Sequence, residues 1–99
     1  MISASIPNET RKAVYRRDGF ACALCGDTRR LQIHHVIPRS EGGSDDPMNL
    51  ICLCMWCHAD AHGHSLRDPK PDWITPEWIE QACVEYVSDL YAGDWYPFK

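Results

Sequence analysis

Two cysteine knuckles constrain this chain more than any other feature. Cys22-x2-Cys25 lies in "CALC" and Cys54-x2-Cys57 in "CMWC", with 28 residues between the pairs. Each pair sets two thiols on one turn of backbone, and two pairs supply the four thiolates of a closed tetrahedral zinc site. One half falls on a turn and the other at the start of a helix. A chain of 99 residues has a small core, near the size at which a structural metal matters. The six cysteines could instead form three disulfides, but they are not spaced like a secreted framework. The start "MISASIPNETRKAV" lacks the apolar stretch of a secretory signal. Paired knuckles in a reducing compartment read as zinc ligands, and a cytoplasmic location is expected. Cys52 and Cys83 fall outside the scheme and read as core packing.

The histidines form a second set. His58 and His62 are four residues apart and share one face of a helix. His58 follows Cys57 directly, so it turns away from the zinc while riding on the element that the zinc fixes. His34 and His35 stand side by side in "LQIHHVIP", a stretch that reads as a strand. Adjacent strand residues point to opposite faces. One of the two can join His58 and His62 around a metal, leaving coordination positions open for phosphate and water. The other can face that water, because a free imidazole is a suitable base at neutral pH.

The remaining segments frame these two sets. Residues 1–8 read as a loose arm. "NETRKAVYRRDGF" predicts a short helix with Asn8 as its N-cap. "RSEGGSDDPMN" predicts a polar loop, and a helix should run from Cys54 or Met55 to a stop at Gly63. "TPEWIEQACVEYVSDLYAG" predicts a helix capped by Thr75 with Pro76 in its first turn. Ile79, Cys83, Tyr86 and Leu90 form its apolar stripe, widened by Ala82 and Val87. No run of 18 apolar residues exists, so no membrane span is expected. Charge is uneven. Residues 1–67 carry eight basic and seven acidic side chains, and residues 68–99 carry two and seven. That balance argues against strong autonomous binding to nucleic acid.

Taken together, "CALCG", "LQIHHVIPRSEGG", "DDPMNLICLC" and "CMWCHADAH" resemble the HNH endonuclease family. The resemblance spans Cys22 to Gly63. It implies an α+β fold: a small ββα-metal (His-Me finger) core with structural zinc, flanked by an N-terminal helix and a C-terminal amphipathic helix. It implies a nuclease domain over residues 1–67 with its core at 20–64. Residues 68–99 are then a linker and a helix packed on that domain or on a partner. By the resemblance, His34, His58 and His62 hold a catalytic metal, His35 is the general base, and Asn49 braces the loop. Cys22, Cys25, Cys54 and Cys57 hold zinc. Imidazole ligands favour Zn, Ni, Co or Mn, with Mg as a further candidate for activity. The implied reaction is metal-dependent hydrolysis of DNA phosphodiesters to 5′-phosphate ends. Arg39 is the first choice for a phosphate contact, followed by Arg16, Arg17, Arg29 and Arg30. Two alternatives stand beside it. One is a catalytically weak, zinc-stabilised module that binds nucleic acid. The other is a docking subunit of a phage packaging or restriction assembly, for which the aromatics of "DWITPEW" and "GDWYPF" would serve. A homodimer is also conceivable for a double-strand cutter.

Overall fold

The computed structural model describes residues 6–99. Its elements are helix α1 (Asn8–Arg17), strands β1 (Leu31–His35) and β2 (Leu50–Cys54), helix α2 (Met55–Ala61) and helix α3 (Pro76–Leu90). The strands pair antiparallel, with Leu31 opposite Cys54, His34 opposite Ile51 and His35 opposite Leu50. β1, β2 and α2 follow one another as a ββα unit, and the fold is the expected α+β type. Among the described residues, no helix is long and apolar enough to cross a membrane.

Every residue of β2 is buried, because helices cover both faces of the hairpin. Leu50 packs with Ile6 and Val14 of the α1 side. Ile51 and Leu53 pack with Cys57 and Ala61 of α2 and with Ile79, Cys83 and Val87 of α3. The C-terminal helix thus shares one core with the cysteine knuckles. Its stripe is narrower than expected: Leu90 is 47% exposed, since the helix runs past the edge of the hairpin there. Thr75 caps it through its side chain, which accepts from the Trp78 N–H.

Two further expectations are corrected. Asn8 is the first residue of α1 and not its cap; Pro7 holds the cap position and its carbonyl accepts from the Arg11 N–H at 3.0 Å. The arm expected to be loose is anchored at Ile6, which is buried; residues 1–5 of that arm lie outside the described residues. A buried ion pair then ties the helices to the sheet. The Asp18 carboxylate accepts two bonds from Arg17, one from the Tyr86 hydroxyl at 2.9 Å and one from the Cys52 N–H at 2.9 Å. One acid thereby joins α1, β2 and α3.

Candidate metal centres and the histidine beside them

The four knuckle cysteines converge, with their sulfurs all within 4.8 Å of one another. Cys22 and Cys25 sit on a turn closed by the Gly26 N–H donating to the Cys22 carbonyl. Cys54 ends β2 and caps α2, its sulfur accepting from the Cys57 N–H at 3.5 Å. Such crowded thiols oppose one another's ionisation. Hydrogen bonding from Cys57 pulls the Cys22 thiol down to about 4, while that same bond pushes Cys57 up. Burial pushes Cys25 up to about 11. A shared cation would remove this conflict, and four soft donors with three of them buried fit a metal ion held in a closed site. Arg67 stands beside the cluster, donating to the Cys57 sulfur at 3.6 Å and to the buried Asp60 carboxylate at 2.7 Å.

The histidines form the second cluster. His34, His58 and His62 each bring a ring nitrogen to within 4.8 Å of the others. His34 reaches them from β1 on the face it shares with Ile51, since paired residues in an antiparallel ladder point the same way. His58 and His62 come from one face of α2 and from its cap, with their Nε2 atoms 3.1 Å apart. The His58 Nδ1 bonds to the Gln32 side-chain oxygen, which leaves its Nε2 turned to the cluster. Burial, reinforced by the neighbouring imidazoles, pulls His34 down to about 3. Burial also lowers His58. Burial thus favours the neutral form of His34 and His58, which keeps a lone pair for a metal. They line a cavity of about 420 Å³, together with His35, Arg39 and Glu80.

His35 closes β1 and lies on that same cavity. Its Nε2 bonds to an Asp45 oxygen at 2.8 Å. Asp45 also accepts two bonds from Arg39, at 2.9 and 3.2 Å. The Arg39 bonds, then the His35 bond, lower the Asp45 carboxyl, so it is ionised and can only accept. The Nε2 of His35 therefore meets this carboxylate as an N–H donor. Asn49 is fully buried and braces the loop between them. Its side chain accepts from the Ile37 N–H and donates to the carbonyls of Ile37 and Ser44. Gly43 completes the brace, because a Cβ there would lie 1.8 Å from the Ile37 carbonyl oxygen. The tail clasps this loop, with the Ser44 N–H donating to Pro97 and the Lys99 N–H to Gly42.

Known proteins resemble this chain over the stretch that carries both clusters. Residues 22–64 match the family model for the HNH endonuclease. A protein named anaredoxin, from Nostoc sp., is 38% identical over 65 residues, covering 62% of this chain and 86% of that protein. The chain belongs to the HNH endonuclease family. Two shorter similarities fall to nucleases. The type IV methyl-directed restriction enzyme EcoKMcrA of Escherichia coli is 50% identical over 32 residues. The probable mobile endonuclease C of Enterobacteria phage T4 is 55% identical over 31 residues. Those matches cover 32% and 31% of this chain, but the chain spans only 12% and 15% of those two relatives.

Within this HNH fold the five candidate arginines fare differently. Arg39 lines the cavity, anchored to Asp45. Arg16 and Arg30 are exposed, Arg30 on a left-handed backbone with φ of 50°. Arg29 pairs with Asp27 at 2.9 Å and lies over the Trp56 ring. Arg17 is turned inward. Beyond Asp18 it donates to the carbonyls of Pro47 and Leu50, both at 2.7 Å, and its role here is to hold the fold together. Sequence reasoning overlooked Asp45, Gln32, Asp60 and Arg67. Asp45 read as one more acid in a polar turn. Gln32 carried one usable signal, its place two residues before His34 on the same strand face.

Proposed function

We propose that this chain is a metal-dependent DNA endonuclease that hydrolyses phosphodiester bonds, with His35 as general base. The observation that carries this reading is the shared cavity, lined by the three clustered imidazoles and by His35, which is bonded to Asp45. In this reading His34, His58 and His62 would hold one divalent ion, and Cys22, Cys25, Cys54 and Cys57 a structural zinc. When bound, the ion in the cavity would supply positive charge toward a phosphoryl oxygen and the departing 3′-oxygen. A set of three imidazoles favours Zn, Ni, Co or Mn over Mg.

The chain's own residues do the rest. The Nδ1 of His35 takes the proton of an attacking water, and the Asp45 carboxylate steadies the imidazolium that results. The water oxygen bonds to phosphorus, the bond from phosphorus to the 3′-oxygen breaks, and a 5′-phosphate end remains. Arg39, fixed by Asp45 at the cavity, offers its unused N–H to a phosphate oxygen. Asn49 keeps the loop carrying Arg39 and Asp45 in register with the strand end. DNA suits this site because the cavity is open and bordered by a cation. Cleavage of plasmid DNA across Mg, Mn, Co, Ni and Zn tests the proposal, with His35→Ala as control. Metal-dependent nicking by the unmutated chain alone is expected. Equal cleavage by His35→Ala would overturn the assignment of the base.

A further inference from the structure

The segment that leads into α3 leaves large apolar side chains in water. Trp73 is 60% exposed and Trp78 45%, and their rings meet edge to face with centroids 4.9 Å apart. With Pro71 and Ile74 they wall a groove of about 300 Å³ whose floor includes Cys25 and Cys57. Single exposed apolar residues are ordinary on a surface, whereas an apolar groove with two tryptophans is not. Asp68, Asp72 and Glu77, all exposed, lie on the same segment, and among the described residues none of them forms an ion pair. The cation lining the groove, Arg67, is committed to Asp60 and Cys57. Lys70 donates to the Ile74 carbonyl.

We propose that this groove docks a basic segment of a partner protein, with an arginine or lysine side chain seated against Trp73 and Trp78. An indole face attracts a cation, and Arg stacks on it with its apolar stem buried. Asp68, Asp72 and Glu77 then supply the complementary charge that orients the flanking basic residues. The same acids repel nucleic-acid phosphates. They equally disfavour a second copy of this chain, whose last third is itself acidic. Position supports the assignment. Cys57 lines the groove and His58, the next residue of α2, lines the cavity. The two openings lie on different faces of α2, and a docked partner leaves the cavity free. A basic partner would also add the positive surface that this acidic chain lacks for holding DNA.

Fluorescence anisotropy on the metal-loaded full chain tests this without reference to cleavage. The probe is a labelled short peptide of alternating arginine and leucine. Its glutamate–leucine counterpart and a labelled DNA duplex are the comparisons. The arginine peptide is expected to bind, and its glutamate counterpart is not. Trp73→Ala should weaken binding by about tenfold or more. Asp72→Lys with Glu77→Lys, both at exposed positions, should abolish it while the melting curve is kept. Equal binding by Trp73→Ala and the unmutated chain would overturn the proposal, because it would reduce the effect to general attraction by an acidic surface. Two other results would overturn it as well. One is tighter binding of the duplex that is lost in Trp73→Ala, which would make the groove a nucleic-acid site. The other is a dimer in sedimentation that Trp73→Ala dissolves, which would make the occupant a second copy.

Discussion

Helix α2 serves two candidate metal sites from neighbouring residues. Cys57 turns to the thiol cluster, and His58 turns to the imidazole cluster. The thiol site is closed in its ligand set: four cysteines converge, and three of them, Cys22, Cys54 and Cys57, are buried in the core. The imidazole site is open: only His34 is buried, and the cluster lines a cavity of about 420 Å³. Closed sites with four protein ligands suit structure, and sites with three ligands leave room for substrate and water. A seven-residue helix is too short to hold its shape by its own hydrogen bonds. The core and the thiols must hold it, and the histidines inherit their placement. Damage should therefore travel from the thiols to the histidines and not back.

The largest test of that asymmetry is Cys25→Ser. It should remove the structural ion and with it on the order of 10 kcal/mol of folding free energy. The cooperative melt should vanish, together with cleavage and any metal binding at the histidines. A melt like that of the unmutated chain would break the comparison. His35→Ala is the converse. Cleavage should fall by about 10²–10⁴-fold, while melt and metal content stay as they were. Asn49→Ala sits between them. It strands buried partners at Ile37 and Ser44, so a loss of about 2–4 kcal/mol is expected from the melt. Cleavage should fall with it, while the thiol metal is retained in the folded fraction.

How much of this was readable in advance follows the same division. The two cysteine pairs and the His58–His62 pair are metal-ligand types at short spacings, while spacing left His34 and His35 as alternatives and the family resemblance named His34. The ββα order and the Thr75 cap were legible for the same local reason. What escaped was long-range. Arg17 looked like one of several surface cations because three of its five side-chain hydrogen bonds go to Pro47, Leu50 and Tyr91, which are distant in sequence. Ile6 looked like part of a loose arm until Leu50 was placed against it. Leu90 fitted the helical period, but the core ends before it. The tail's bridge from Phe98 to Gly43 leaves no periodic trace, since it involves only one residue on each side.

Each site also has its own acid–arginine pair, and these pairs give the two finest tests. At the open site, Asp45→Asn removes the carboxylate that fixes the His35 tautomer and can turn an amide N–H toward the ring. Cleavage should drop by about tenfold to a hundredfold, with no change in metal affinity measured by calorimetry at the histidines. A matching loss of metal affinity would mean that Asp45 serves the metal and not the base. At the closed site, the pair is Asp60 with Arg67. Asp60 is almost wholly buried, one of its oxygens accepts from Arg67, and the other finds no partner among the described residues. Arg67 carries the only positive charge bonded to the thiol cluster among the described residues. Arg67→Met keeps the length and apolar stem of the side chain and deletes that charge. The Cys57 thiolate then loses a donor, and Asp60 loses its counter-ion. Groups that bond to metal ligands without touching the metal typically change affinity by about 10–100-fold. Release of the structural metal to a colorimetric chelator should quicken within that range, and the stability read from the melt should fall by about 3–5 kcal/mol because a buried carboxylate loses its counter-ion. Cleavage per folded, metal-loaded molecule should not move, because no atom of Arg67 lines the open cavity. Slower cleavage at full metal loading would mean that the closed site tunes the open one through α2, and that the two sites are not separable after all.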